Sequence, residues 1–419
     1  MKLSAFGEKF TSHSGILSLM DDLGNALADG KDMIMMGGGN PAHIPEVEAV
    51  FRQRLQKITD SQTEFTRLVG TYDPPQGEKD FVREMASYLN RQFGWKLTER
   101  NIALTNGSQS AFFMIFNMFA GSYGDGSHKR IQLPLAPEYI GYSDAGLSHD
   151  FFAANKPDIE HLDQHVFKYR VDFQELVVDD SIGAICVSRP TNPTGNVLTD
   201  QEIERLDGLA LQHDIPMIID GAYGTPFPKL IFTQATPVWN ENTILCLSLS
   251  KLGLPAARTG IVVANEEVIR ALSGINAIMN LAPNSTGSLL ALDMIRDDSI
   301  NTLCENVIRP YYQEKAEFAV NILKQRLGDS VPWHVHKPEG AMFLWLWFEG
   351  LPVSSLELYE RLKARNVLVV SGHYFFPGID DDWPHKHECL RLTYTRDHAA
   401  VEKGLSIIAE EVLKLYECQ

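Results

Sequence analysis

Cysteine is scarce in this sequence, and the few cysteines are scattered. The 419 residues include five cysteines, and no two of them form a Cys-x-x-Cys pair. An odd, dispersed set provides neither a disulfide framework nor a zinc ribbon. We therefore expect a protein of a reducing compartment, most simply the cytoplasm.

Long apolar runs and an excess of positive charge are also missing. The longest apolar run lies near residues 341–348 and is far too short to cross a bilayer. The first ten residues contain Lys2, Glu8 and Lys9 rather than an apolar stretch, so we expect no secretory signal. The formal net charge is −17 at pH 7, and no basic stripe offsets it. We expect neither a membrane protein nor a nucleic-acid-binding protein.

What is present is a series of short, continuous apolar runs separated by segments of helix length. Thr199 is a candidate cap for a helix over residues 200–213. Continuous apolar strands fit a parallel sheet that is covered on both faces, so this region predicts a three-layer α/β/α domain. The runs that predict strands cover residues 101–105, 130–134, 182–188, 215–220, 243–248 and 260–264.

The pattern changes after about residue 285. A charge-dotted, helix-compatible stretch over residues 288–326 precedes shorter strand and helix patterns, which together predict a smaller α+β domain. The glycine-rich turn from Met36 to Pro41 has no evident partner in the central sheet, and we assign it to the small domain. We therefore expect a large domain over residues 46–290 and a small domain built from residues 1–45 and 291–419.

The most informative segment follows the predicted strand 243–248. Lys251 comes after two serines, Ser248 and Ser250, and before Arg258. Open α/β sheets bind ligands just beyond the carboxyl ends of their strands, and desolvation there favours an uncharged amine that can condense with an aldehyde. The hydroxyls and the arginine are suited to binding a phosphate. The alternative is an ordinary solvated loop lysine.

Two other strand ends carry polar residues. Asp220 ends one predicted strand, three residues before Tyr223, and its carboxylate can either cap a helix or hold a ring nitrogen in its protonated form. Asn192 lies in a double-proline turn over residues 189–195, which fixes the backbone and presents the amide rigidly. A purely structural turn is the alternative for Asn192.

Together these residues resemble the class I/II aminotransferases, which are fold-type I pyridoxal-phosphate enzymes, and the resemblance extends over essentially the whole chain. It implies a mostly parallel seven-stranded sheet in the large domain, pyridoxal 5'-phosphate as cofactor, and amino acids and 2-oxo acids as substrates. The family pattern is an Asn-Pro-x-Gly turn, then Asp-x-x-Tyr, then Ser-x-Ser-Lys with Arg-x-Gly behind it; here these begin at Asn192, Asp220, Ser248 and Arg258.

The resemblance also implies roles for individual residues. Lys251 would bind the cofactor covalently and move a proton between substrate and cofactor. Asp220 would pair with the pyridinium nitrogen, and Tyr223 and Asn192 would hydrogen-bond the phenolic oxygen. The other implied cofactor contacts are Gly107, Ser108 and Gln109 at a helix N-terminus, Tyr139 stacked on the ring, and Ser248, Ser250 and Arg258 at the phosphate.

The substrate and a second subunit are implied in the same way. Arg391 would grip the substrate α-carboxylate as a bidentate fork, beside Asn192 and the turn at Gly39. Without the family context Arg391 could be a surface strand arginine. Tyr72 would reach the phosphate of a neighbouring subunit, which implies a homodimer with shared active sites.

The sequence departs from the family pattern near the phosphate arginine. Pro255 is followed by Ala256 and Ala257, where many members have glycine. This turn therefore cannot depend on a positive φ that glycine alone accepts cheaply. The gap between lysine and arginine is also one residue shorter than in many members.

Specificity is expected to favour small, uncharged side chains such as those of alanine and valine. Dicarboxylate-specific relatives supply a second arginine, and residues 276–285, where it would be sought, contain no basic residue. Residues near 15–20 and 279–281 are candidates for lining the side-chain pocket.

Other interpretations were weighed against this one. Ser248-x-x-Lys251 fits the penicillin-binding Ser-x-x-Lys motif, but residues 258–260, which imitate its Lys-Thr-Gly, lie too close in sequence. A carbon-sulfur lyase, a decarboxylase or an aminotransferase of different specificity stays open, because a fold does not fix a reaction. A regulator would need a nucleic-acid-binding module that the sequence does not show. The histidine pairs 334/336 and 385/387 lack further ligands, so no metal is expected.

Overall fold

The computed structural model describes residues 2–11, 17, 24 and 33–418. Its strands are β1 (Ile34–Met35), β2 (Ile102–Thr105), β3 (Gly121–Ser122), β4 (His128–Leu133), β5 (Phe152–Ala154), β6 (Asp158–Asp163), β7 (Val166–Arg170), β8 (Ile182–Ser188), β9 (Met217–Asp220), β10 (Thr243–Ser248), β11 (Gly260–Val263), β12 (Trp333–His336), β13 (Phe343–Phe348), β14 (Val367–Leu368), β15 (Val370–Ser371) and β16 (Cys389–Thr393).

The α-helices of the described residues lie between these strands, singly or in groups of consecutive helices. They are α1 (Ala5–Phe10), α2 (Pro45–Asp60), α3 (Gln62–Val69), α4 (Lys79–Phe93), α5 (Ser108–Phe119), α6 (Asp200–Gln212), α7 (Glu266–Asn280), α8 (Thr286–Arg296), α9 (Ser299–Leu303), α10 (Arg309–Leu327), α11 (Ser355–Ala364) and α12 (His398–Glu417). Within the same residues, no helix is both long enough and apolar enough to span a membrane.

The main sheet has the strand order β2-β11-β10-β9-β8-β4, with β5 and the two-residue β3 both paired to β4. Strands β10, β9, β8, β4 and β5 run parallel to one another, whereas β11 is antiparallel to both β10 and β2. Apart from β3, the described part of this sheet contains seven strands. The predicted mostly parallel, seven-stranded sheet is therefore confirmed.

Alternate residues of the central strands enter two separate apolar cores, one on each face of the sheet. In β10, Leu245 and Leu247 belong to one core, and Ile244 and Cys246 to the other. Both faces are thus covered by helices, which is why the strand sequences are continuously apolar rather than alternating. The α6 helix begins at the predicted cap, Thr199.

A second, six-stranded sheet has the order β15-β16-β13-β12-β7-β6. It includes the β6–β7 hairpin, which lies in the sequence between β5 and β8 of the main sheet. Strand β7 runs parallel to β12. The short β1 pairs in parallel with β14. Hairpin residues 158–170, inside the expected large domain, therefore hydrogen-bond to strands of the expected small domain; the domain boundaries stay a prediction.

The helix-compatible stretch 288–326 is not one helix. It is divided into α8, α9, a π-helical turn at Cys304–Ile308, and α10. The break lies at Asp297 and Asp298: Asp298 has φ 59°, in the left-handed region, and the Asp297 carboxylate accepts the backbone N–H of Ser299. Short polar side chains tolerate this conformation and compete with the helical backbone bonds, which ends α8.

Candidate active site

The carboxyl ends of β8, β9 and β10 meet at one edge of the main sheet. The parallel register places Ser188 beside Asp220, and Asp220 beside Cys246. The segments that follow these strands therefore leave the sheet side by side, which is the usual ligand-binding edge of an open α/β sheet. They carry Asn192, Tyr223 and Lys251.

A cavity of about 200 Å³ opens at this edge. Among the residues predicted for the site, the structure brings all but two to its wall. Gly107 lies behind the wall, against Arg258, and Tyr72 is 81% exposed on the surface. The lining residues are Gly39, Ser108, Gln109, Phe112, Tyr139, Ile140, Ser188, Pro190, Asn192, Asp220, Ala222, Tyr223, Ser248, Ser250, Lys251, Arg258 and Arg391.

Lys251 lies in a 3₁₀ turn directly after β10, so its position is fixed by the sheet. Its Nζ donates to the carbonyl oxygen of Gly39 at 2.5 Å and lies 5.4 Å from the centre of the Tyr223 ring. Burial and the guanidinium groups of Arg391 and Arg258 lower the pKa of Lys251 to about 8, and Asp220 opposes this shift. An appreciable fraction of the amine is therefore uncharged near neutral pH.

Asp220 ends β9 with its carboxylate buried at the floor of the cavity. Oδ2 accepts the hydroxyl of Tyr142 at 2.6 Å, and Oδ1 accepts the backbone N–H of Ala222 at 2.9 Å. The pKa of Asp220 is raised, because the effect of burial outweighs these hydrogen bonds and the charge of Lys251, which lower it. No described cation forms an ion pair with it, so the carboxylate is available to a cation in the cavity.

The N-terminus of α5 and Arg258 form an anion-binding corner. Gly107 has φ 88°, and a Cβ at this position would overlap the guanidinium of Arg258. The glycine thus lets Arg258 approach the first N–H groups of the helix, where an anion is favoured. The positive φ of the unusual proline–alanine turn falls on Arg258 itself, at 47°, rather than on Ala256 or Ala257.

Arg391 projects from β16 and is buried among aromatic rings. Its guanidinium lies 4.4 Å from the Phe343 ring and 5.1 Å from the Phe375 ring. Nη1 donates to Asn192 Oδ1 at 3.0 Å and Nη2 to the carbonyl oxygen of Gly37 at 2.6 Å, but Nε has no partner. Burial lowers the pKa of Arg391 to about 10. A buried guanidinium with an unused donor suits a carboxylate ligand.

Sequence reasoning missed three polar residues of this site: Glu138, Tyr142 and Ser188. Tyr142 lies three residues after Tyr139 in the sequence, yet the family resemblance implies a role for Tyr139 only. Glu138 had a usable signal, because it is a single charge within the otherwise uncharged stretch 131–143. Ser188 ends a predicted strand, as Asp220 and Ser248 do.

The residues that the sequence suggests for the pocket of the substrate side chain lie near 15–20 and 279–281. Residues 15–20 lie outside the described residues, apart from Leu17. Met279 and Leu281 are exposed, at 47% and 58%, and do not line the cavity. Among the described residues, no group of three or more His, Cys, Asp or Glu side chains is arranged to hold a metal ion.

The lowered pKa of Lys251 predicts unusual reactivity. A base with a pKa of about 8 is roughly one-tenth neutral at pH 7, against roughly 1 in 2,500 for an ordinary lysine. In protein freed of any aldehyde bound to Lys251, reductive methylation followed by peptide mass spectrometry should give half-maximal modification of Lys251 near pH 8. R391Q should move this midpoint to higher pH and D220N to lower pH, because they remove a repelling cation and an attracting anion. A midpoint near pH 10 that neither variant moves would contradict this electrostatic account.

Comparison with known proteins agrees with this geometry. The valine–pyruvate aminotransferase of Escherichia coli (strain K12) is 50% identical over 412 residues, covering 98% of each chain. A crystal structure of valine-pyruvate aminotransferase from Salmonella typhimurium LT2 is 47% identical, with a TM-score of 0.88, and covers 96% of this chain and all of that one. A structure from Psychrobacter arcticum 273-4 is 48% identical, with a TM-score of 0.97 over 100% of both chains.

A family match covers most of the chain. The family described as aminotransferase class I and II matches residues 31–408. The chain belongs to the class I and II aminotransferases.

Proposed function

We propose that this chain is a pyridoxal-phosphate-dependent aminotransferase that moves the amino group of valine to pyruvate, giving 3-methyl-2-oxobutanoate and alanine. The observation that carries the proposal is that Lys251 and the buried Asp220, with which no described cation forms an ion pair, line the same cavity. Burial also lowers the pKa of Lys251. The substrates follow from the 50% identical Escherichia coli relative.

The cavity fits pyridoxal phosphate on the chemistry of its walls. The phosphate would meet the α5 N-terminus and Arg258, with Ser108, Ser248 and Ser250 as hydroxyl donors. The aldehyde would meet Lys251, and the protonated ring nitrogen would meet Asp220. Tyr139 would stack on the ring, while Tyr223 and Asn192 would donate to the phenolic oxygen.

When bound, pyridoxal phosphate supplies an electron-withdrawing ring that stabilises negative charge at the substrate α-carbon. Asp220 holds the positive charge on the ring nitrogen, because a carboxylate buried beside a cation stabilises the charged pair. Lys251, as an uncharged amine, would take a proton from the substrate α-carbon and would later give that proton back. Arg391 and Asn192 fix the α-carboxylate and so orient the bond that is broken.

A small aliphatic substrate agrees with the cations of the cavity wall, which among the described residues are Lys251, Arg258 and Arg391. Residues 276–285 contain no lysine or arginine, and Arg258 and Arg391 are assigned to the phosphate and the α-carboxylate. A distal carboxylate would be buried without a partner, which is costly.

The proposal predicts a clear order of amino donors. Valine and alanine should each bleach the yellow chromophore of the purified protein, and pyruvate should restore it. Their kcat/KM values should exceed that of aspartate by at least about 100-fold, or about 2.7 kcal/mol. Valine and alanine should differ less, because each methylene contributes only about 1 to 3 kcal/mol. Preference for aspartate, or keto-acid formation that needs no acceptor, would contradict the proposal.

The role of Asp220 predicts a separation of binding from turnover. D220N should retain the cofactor, since the phosphate contacts remain, but lose kcat by roughly 10²–10³-fold because the ring nitrogen loses its charged partner. Cofactor content by absorbance and kcat by a coupled assay measure the two effects. The exposed Asp158 at the start of β6 provides the matched control, and D158N should keep kcat within about twofold, as surface changes usually do. An unaltered kcat in D220N would remove Asp220 from this role.

We also propose that the active unit is a homodimer in which Tyr72 completes the partner's site. Tyr72 is 81% exposed and Val69 is 65% exposed, beside the equally exposed end of α7, where Ile278 is 88% and Leu281 58% exposed. Asn276 donates to the carbonyl oxygen of Pro75 at 2.7 Å, which brings these segments together. An exposed patch of this kind favours a protein contact.

Mixed subunits test this arrangement. Y72F should weaken cofactor affinity about 10-fold, as expected for the loss of a hydrogen bond to a charged group, and K251A should be inactive. When the two variants are unfolded together and refolded, each mixed dimer should regain one complete site, formed by Lys251 of one subunit and Tyr72 of the other. Cofactor affinity then returns to the unmutated value in that fraction. Monomers in sedimentation, or no recovery in the mixture, would contradict the shared site.

A further inference from the structure

Glu138 is a buried acidic residue that the proposed reaction leaves without a role. Glu138 is 1% exposed, and no described lysine, arginine or histidine forms an ion pair with its carboxyl group. It lies between Pro137 and the ring-stacking Tyr139, and its backbone N–H donates to the carbonyl oxygen of Phe375. An acidic side chain this deep requires either a cation or a proton.

The Glu138 carboxyl group contacts the end of β8 with both oxygens. Oε1 accepts the backbone N–H of Ser188 at 2.9 Å, and Oε2 lies 2.5 Å from Ser188 Oγ. The Ser188 hydroxyl in turn lies 3.5 Å from the Tyr142 hydroxyl, which donates to Asp220 at 2.6 Å. A continuous polar path therefore runs from Glu138 through two hydroxyls to the carboxylate at the cavity floor.

The proton positions along this path follow from its two ends. Asp220 receives donors from Tyr142 and from the backbone of Ala222, and these two hydrogen bonds favour its charged form against the opposing effect of burial. Oε1 of Glu138 faces a backbone N–H and must accept, so a proton on Glu138 resides on Oε2 and points to Ser188. The Ser188 hydroxyl is then free to donate toward Tyr142, and every donor is directed at Asp220.

Charge supports the same assignment. The titratable side chains that act on Glu138, or on which it acts, are Asp220, Tyr142 and Cys186, and none of them is a cation. Two buried carboxylates sharing one polar path would repel each other strongly if both were ionised. Burial, reinforced by the negative charge of Asp220, raises the pKa of Glu138 to about 8.

We propose that Glu138 is a positioning residue which, as a neutral carboxylic acid, begins a chain of donors through Ser188 and Tyr142 that ends on Asp220 and keeps that carboxylate ionised. Its consequence for turnover rests on the proposed function of Asp220. The existence of the chain of donors does not rest on that proposed function, so the chain can be measured without substrate.

Infrared spectroscopy of the full chain tests the protonation of Glu138. With ¹³C-labelled glutamate carboxyl groups, a protonated glutamate gives an isotope-shifted carbonyl band at pH 7, distinct from the bands of carboxylates. E138Q should lose this band. E339Q is the matched control, because Glu339 is equally buried but paired with Lys168, and this variant should retain the band. If E138Q does not fold, the unmutated chain still decides, since the lack of any protonated-glutamate band overturns the proposal.

S188A tests the chain of donors rather than the shape of the site. It removes the hydroxyl but keeps the backbone N–H that holds Glu138, so a purely structural role predicts no effect on Asp220. The measurement is the pH midpoint of Asp220 ionisation, followed by infrared bands of ¹³C-labelled aspartate in protein free of cofactor. Under the proposal, this midpoint should be about half a pH unit higher in S188A than in the unmutated chain. Y142F should raise it further, and D220N assigns the band. An S188A midpoint equal to that of the unmutated chain would overturn the proposal.

The two hypotheses fail separately. A chain that shows the glutamate band and the S188A effect but transfers no amino group would contradict the proposed function alone. A chain that transfers amino groups normally but lacks the band would contradict the role of Glu138 alone.

Discussion

Asp220 places a negative charge at the end of a central strand, in a position where the described chain supplies no cation to pair with it. The cost of burying such a group is several kcal/mol unless hydrogen bonds and a partner offset it. Tyr142 and Ala222 provide the hydrogen bonds, and the nearby charge of Lys251 favours the ionised carboxylate as well. In the proposed function, the chemistry of the site depends on this one carboxylate, because it would pair with the basic ring nitrogen of the cofactor.

The sheet explains how such a charge is held in place. Strands β8, β9 and β10 are buried on both faces, so their ends cannot shift without disturbing two cores. Because Ser188, Asp220 and Lys251 lie at or just beyond these strand ends, their backbone positions are fixed by the sheet as well. The second sheet contributes Arg391, so the cavity wall contains residues from both sheets.

The central strands and the residues at their ends could be predicted from the sequence, because continuous apolar runs and the polar residues that follow them are local signals. Strand β6 was missed, since its residues are largely exposed and polar and it is held by pairing with β7 rather than by an apolar run. The role of Glu138 was missed for a related reason: its partner Ser188 is 50 residues away, and only the fold reveals that the two meet. The exposure of Tyr72 agrees with the expected role but does not test it.

The account depends most directly on the amine of Lys251 carrying an aldehyde cofactor. Borohydride reduction of the purified protein, followed by proteolysis and mass spectrometry, fixes any such bond permanently. The account predicts a single phosphopyridoxyl adduct on the peptide that contains Lys251, and its loss in K251A. An unmodified Lys251 peptide, or an adduct on a different lysine, would contradict it.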